Sequence, residues 1–148
     1  MRIHFWHATL SLFYAALVLI GIAWLAATSR LASFIPLSDF VLMTLATFRL
    51  VHLFTYDSIT AFIREWFVGY DNHTFKGSLG HLINCPWCTG LWFSFIVVFF
   101  YFATPFAWYI ILILALAALG SSLQLIANWV GWSAEAKKKE AQGIALPR

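Results

Sequence analysis

Apolar residues run along this chain in long stretches separated by short polar segments. Ala8 to Thr28 carries no charged side chain. At about 1.5 Å per helical residue such a run crosses a hydrocarbon core of about 30 Å, which predicts a first span over 8–28. The run is longer than the apolar stretch of a cleaved signal peptide and reads as a retained anchor. Pro36 then breaks the pattern, Ser38 and Asp39 offer helix-capping side chains, and a second span is expected over 39–56. Arg49 and His52 interrupt this span. A cation facing lipid near a helix centre costs on the order of 2.5–3.5 kcal/mol, so Arg49 must snorkel or face protein.

Asp57 or Ser58 can cap a following helix over 58–68, with Ile59, Phe62, Ile63, Trp66 and Phe67 on one face and Arg64 and Glu65 off it. That pattern suits an amphipathic helix in the membrane interface. Tyr70 to Asn84 reads as a polar loop containing glycine. A third span is expected over 88–104, and Thr104 and Pro105 offer an N-cap and first-turn proline for a fourth over 106–130. Ala117, Ser121, Gln124 and Asn128 share one stripe of the fourth span, the small and polar surface that packs against other helices, so this stripe is expected to face inward. The fold class is therefore an all-α integral membrane protein with about four transmembrane helices plus one interfacial helix. It forms a single domain over 1–132 with a polar tail over 133–148.

Composition removes the soluble alternative. The 148 residues are 62% hydrophobic and 10% charged, with mean hydropathy +0.83, whereas about a quarter of an ordinary soluble domain is charged. The lipid bilayer must cover what polar groups do not. Net charge is +3, with the cations unevenly placed. An N-terminus inside puts Arg2, Arg64, Lys76, Lys137, Lys138, Lys139 and Arg148 on the cytoplasmic side and Arg30 outside, so both termini are expected in the cytoplasm. Trp6, Trp66, Trp87, Trp92, Trp129 and Trp132 would then line the inner interface, with Trp24, Trp108 and Tyr109 at the outer one. The lysine run is too short for a nucleic-acid footprint.

Two constellations could carry chemistry. The first is Cys85-Pro86-Trp87-Cys88 at the mouth of the third span, where a helix start favours a thiolate at the first cysteine. Three readings stand. The pair can pack the start of the span, act as a redox dithiol, or join His81 as three ligands for zinc, with His73, Asp71, Asp57 or His52 as a fourth. Packing is the leading reading, since a lone C-x-x-C is a weak redox signal without a βαβ context. The second constellation is Arg49, His52 and Tyr56 on one helical stripe, followed by Asp57. An ion pair or proton relay there needs a carboxylate, which Asp57 or Glu65 supplies only if the interfacial segment folds back. The alternative is a snorkelling Arg49 and a hydrogen-bonded His52. No nucleophile triad, P-loop, dinucleotide fingerprint or haem-attachment motif is present.

The stretch from Phe48 to Thr60, Arg49-Leu50-Val51-His52-Leu53-Phe54-Thr55-Tyr56-Asp57 at its centre, followed by Arg64-Glu65 and by Cys85-Pro86-Trp87-Cys88-Thr89-Gly90-Leu91-Trp92, resembles the double signature of a family of small bacterial and phage membrane proteins. That family is known as a domain of unknown function and includes a sporulation-associated membrane protein. The resemblance covers roughly 39–130 and leaves the first span outside. It points to Arg49, Tyr56, Asp57, Arg64, Glu65, Cys85, Cys88, Gly90 and Trp92 as positions to test, implies a bacterial cytoplasmic membrane, and brings no activity with it. The expected role is a non-catalytic scaffold or accessory subunit that contacts other membrane proteins or further copies of itself. A membrane thiol oxidoreductase and a small metal-binding or proton-handling protein are the alternatives. No catalytic residue or cofactor is assigned, apart from a conceivable zinc.

Overall fold

A computed structural model describes residues 2–32, 34–67 and 74–141 of the chain. In order they form α1 (Arg2–Ala27), α2 (Leu37–Thr55), a 3₁₀ turn (Ser58–Thr60), α3 (Ala61–Glu65), α4 (Phe75–Asn84), α5 (Pro86–Ala103) and α6 (Ala107–Ala141). Four of these helices, α1, α2, α5 and α6, are long and apolar enough to cross a membrane. The protein is an all-α membrane protein.

The four spans alternate in direction. At one end, Arg30 donates to the Ala103 carbonyl that closes α5, and the Tyr101 hydroxyl donates to Asp39 at the start of α2 at 2.5 Å. At the other end, the rings of Trp6 and Phe75 meet at 5.6 Å. Helix α2 is the central element and packs most extensively on α6 and α5. Met43, Ala46, Val97, Ala107 and Ile111 form the core, flanked by Ile35, Leu42, Leu50, Tyr101 and Leu114. Ala46, Ala115 and Ala118 are fully buried, and such small side chains let helix backbones approach closely where lipid removes the hydrophobic drive between helices.

Helix α1 lies to one side, against α5 and α4. It approaches α5 closely at Gly21, where a Cβ would come within 3.0 Å of Phe95 and 3.3 Å of Phe99. It ends at Ser29, whose φ of 54° is left-handed. The Ser29 N–H bonds Ala26 O and the Arg30 N–H bonds Leu25 O, both at 3.0 Å, the paired closure usually built around glycine.

Several local expectations give way. Ser38 and Asp39 do not cap α2: the helix starts at Leu37 behind Pro36, and Asp39 serves Tyr101 instead. Segment 58–68 is not one helix but a 3₁₀ turn and the single turn of α3, because Thr60 and Arg64 are drawn back onto the end of α2. The loop expected over 70–84 is helical from Phe75 on. The Thr74 hydroxyl caps α4 by accepting from Gly77 N–H at 3.2 Å, and Phe75, Leu79, Leu82 and Ile83 recur at helical spacing. Gly80 serves close packing: a Cβ there would meet Phe67 Cβ at 2.9 Å. The expected inward stripe of α6 faces outward, with Ala117, Gln124 and Asn128 exposed, while Ala107, Ile111, Ala115 and Ala118 are the buried side. Thr104 does cap α6, accepting from Ala107 N–H at 3.3 Å. The helix runs past 130 to Ala141, so the tail beyond 133 is helical as far as that residue.

Candidate functional site

The site is the knot where α2 ends and α3, α4 and the start of α5 meet. A helix end leaves four carbonyls without helical donors, and at membrane depth each must find a partner within the protein. His52 O accepts from Tyr56 N–H at 2.9 Å and Asp57 N–H at 3.2 Å. The next two carbonyls are taken by side chains from beyond the turn. Thr60 Oγ1 donates to Leu53 O at 2.5 Å, and Arg64 Nη1 donates to Phe54 O at 2.9 Å and to Thr60 Oγ1 at 3.1 Å. A cation at a helix C-terminus also complements the helix dipole, which adds a second reason for Arg64 to fold back.

Asp57 sits in the same turn. Its backbone occupies the N-cap position of the 3₁₀ turn, yet its side chain caps nothing. It turns onto α2 instead, where Arg49 Nη2 lies 3.1 Å from Oδ2 and His52 Nδ1 lies 3.1 Å from Oδ1. Both oxygens are thus engaged, one by each side chain one and two turns back along the helix. The side chains of Arg49 and Asp57 are 21% and 26% exposed, so the pair is shielded from water without being sealed. Tyr56 places its ring 5.1 Å from His52 but is itself exposed. Glu65 points to the surface and Asp57 is the carboxylate the cluster uses.

The cysteine turn locks the other half of the knot. Thr89, buried, donates from Oγ1 toward Leu82 O at 2.8 Å and Cys85 O at 2.9 Å, tying the end of α4 to the start of α5. Pro86 occupies the first turn of α5, where its missing N–H costs nothing. Cys85 and Cys88 are both free, the first half-buried and the second exposed. The hydrogen bond from the Cys88 thiol, helped by the Cys88 backbone N–H, outweighs partial burial and holds the Cys85 thiol below the usual thiol range. Cys88, His81, Tyr14 and Trp92 line a cleft of about 290 Å³ between α1 and α5, and the Trp92 ring packs 5.0 Å from Tyr14. Trp87 is 89% exposed, directed away from the bundle.

The structure therefore brings Arg49, His52 and Asp57 into one cluster, and Cys85 and Cys88 into another. Among the described residues no three of His, Cys, Asp and Glu come together as a metal would require. Asp71 and His73 lie outside the described residues. Sequence reasoning missed Thr60, Thr89 and Gly80. The signal for the two threonines is a hydroxyl one residue-turn after a helix break, which can reach back to the orphaned carbonyls.

A family model described as "Protein of unknown function (DUF1360)" matches residues 42–127, from the second turn of α2 to the exposed part of α6. The chain belongs to this family. The matched DUF1360 region holds the whole knot and excludes α1. Among related proteins, the "UPF0713 protein YngL" of Bacillus subtilis (strain 168) is 34% identical over 97 residues, covering 57% of this chain and 75% of that protein. The "Sporulation protein YjcA" of the same organism is 29% identical over 108 residues, covering 61% of this chain and 92% of that protein. No solved structure matches the chain.

Proposed function

We propose that this DUF1360 chain is a non-catalytic component of a larger membrane assembly, a scaffold or accessory subunit. It sits in the bacterial cytoplasmic membrane with both termini and the knot on the cytoplasmic side. The observation that carries the reading is that Arg49, His52, Asp57, Thr60 and Arg64 are engaged in folding the segment after α2 back onto that helix, and Thr89 in tying α4 to α5. Catalytic pockets set a few polar groups converging on a cavity. Here a cavity of about 530 Å³, lined from α1, α2, α3, α4 and α5, has no ionisable residue in its lining. The orientation rests on Arg64, Lys76 and the lysines at 137–139 lying at one end of the bundle and Arg30 at the other. Extraction from native membranes in mild detergent should yield the chain in a complex larger than its own mass and in fixed ratio to its partners. Recovery as a free monomer that turns over a substrate would reverse the reading.

A second reading, a membrane thiol oxidoreductase, is favoured by one observation, the depressed Cys85 thiol beside an exposed Cys88. A lowered pKa keeps thiolate present to lower pH, so Cys85 alkylation should reach half its maximal rate below the pH of an ordinary cysteine. Replacing Cys88 with alanine removes the leading cause of the shift and should move that midpoint upward. Rates of iodoacetamide modification against pH, followed by mass spectrometry, check both. Thiols that resist modification until stoichiometric zinc is chelated would favour a metal role with His81 instead.

A further inference from the structure

The cavity of about 530 Å³ is walled by side chains from five helices, among them Leu10 and Phe13 of α1, Phe54 of α2, Ile63 of α3, Leu79 of α4 and Phe93 of α5. Small-molecule sites have volumes of about 300–1,000 Å³, and this one falls among them. Helix α1 is fastened on either side of it. The Tyr14 ring packs 5.0 Å from Trp92, and Trp6 meets Phe75 at 5.6 Å, so α1 bridges the space instead of collapsing into it. The polar groups of the wall are the hydroxyls of Thr9 and Thr89 and the indole of Trp92. The Thr89 hydroxyl is already donated to the carbonyls of Leu82 and Cys85. A buried water needs two to four polar partners, and an apolar cavity of about 150 Å³ stays dry and takes up benzene. A wall of this chemistry selects a hydrocarbon occupant.

Depth says which hydrocarbon. Leu10 and Phe13 belong to the start of the α1 span (Ala8–Ala27), Phe54 to the end of the α2 span (Leu37–Thr55), and Phe93 to the early turns of the α5 span (Pro86–Ala103). The cavity therefore lies just inside one face of the hydrocarbon layer, where the surrounding apolar molecules are acyl chains. Helix α4, with 10 residues, is too short to cross and forms the wall on the headgroup side. Phe13 and Phe75 are exposed, so the wall is incomplete toward α1 and α4. Cations stand at that rim. Arg64, next to the wall residue Ile63, donates to the carbonyl of the wall residue Phe54 at 2.9 Å. Lys76, exposed, follows the wall residue Phe75. An anionic phosphodiester complements both.

We infer that this cavity is a lipid site, which holds one acyl chain of an anionic phospholipid with the phosphodiester at Arg64 and Lys76. The inference goes beyond the assembly reading and does not depend on it, because every wall residue belongs to a single chain. The bound acyl chain packs the seam between α1 and the family-matched region, where α1 otherwise meets α5 and α4 at separate points.

The test uses the full chain in phosphatidylcholine vesicles containing either phosphatidylglycerol or further phosphatidylcholine that carries a diazirine in one acyl chain, with adducts mapped by mass spectrometry after illumination. Adducts should fall on residues 75–83 of α4. The groove between α5 and α6 lined by Ile96, Phe100 and Ile110 reports on lipid that merely surrounds the bundle. Leu79→Trp and Leu10→Trp, on opposite walls, should each remove most of the α4 adducts by filling the cavity, and Ile110→Trp should leave them unchanged. Circular dichroism shows which wall variant keeps the fold, and that variant is the one read. Phosphatidylglycerol should label α4 about fivefold more than phosphatidylcholine, the weight of roughly one cation near an anionic headgroup, and Lys76→Gln should narrow the difference. Adducts confined to the α5–α6 groove, α4 adducts that persist in a folded wall variant, or equal labelling by the two lipids would each overturn the inference.

Discussion

Replacing Asp57 with asparagine lowers the stability of the protein by about 2 kcal/mol, between the small value of an exposed ion pair and the 3–5 kcal/mol of breaking a buried one. The intermediate figure follows from the geometry. Arg49 and Asp57 are 3.1 Å apart and about a quarter exposed, so water screens them in part, but loss of the carboxylate strands the guanidinium within a membrane helix. Arg49→Met should cost less than Asp57→Asn, because His52 still contacts the remaining carboxylate. The double variant should lose less than the sum of the two, with a coupling of about 1 kcal/mol or more. Denaturant or thermal unfolding of the four proteins in one detergent measures the cycle. Strict additivity would mean that the pair contributes nothing.

Gly80→Leu should cost still more, about 3 kcal/mol, the upper part of the range for forcing extra volume into a packed contact. A Cβ at this position would lie 2.9 Å from Phe67 Cβ and 3.3 Å from Phe67 O. Neither atom is the free end of a flexible side chain, so the helix itself must move. The displacement would carry α4 away from the end of α3 and loosen the floor of the knot. Gly90 supplies the control. A Cβ there meets only Val51 Cγ2 at 3.6 Å, an ordinary contact, and Gly90→Ala should be neutral or stabilising by up to about 1 kcal/mol through helix propensity. Unfolding midpoints of the two variants in the same detergent decide the matter, and an unchanged Gly80→Leu protein would refute the packing argument.

The four spans, their alternation and the N-cap at Thr104 could all be read from the chain alone, because each depends on a local property: an apolar run long enough for a bilayer, or a hydroxyl and a proline in the right order. The position of Arg49 within a span likewise announced that its charge needed a partner. Which carboxylate would answer was not local. Asp57 lies eight residues on, past a helix end, and its reach depends on a turn that Thr60 and Arg64 close by capping Leu53 and Phe54 carbonyls. The two glycines of α4 gave the opposite false signal, reading as loop until Phe67 is seen to need the room of one of them. In α6 the stripe of small and polar residues was expected to face inward from its composition, yet composition carries no direction and Ala117, Gln124 and Asn128 are exposed. Only the placement of α2 beside Ala107, Ile111, Ala115 and Ala118 decided which side of that helix faces the bundle. Two surfaces of one helix can both suit a partner, and the choice between them is made by the helices that are already there.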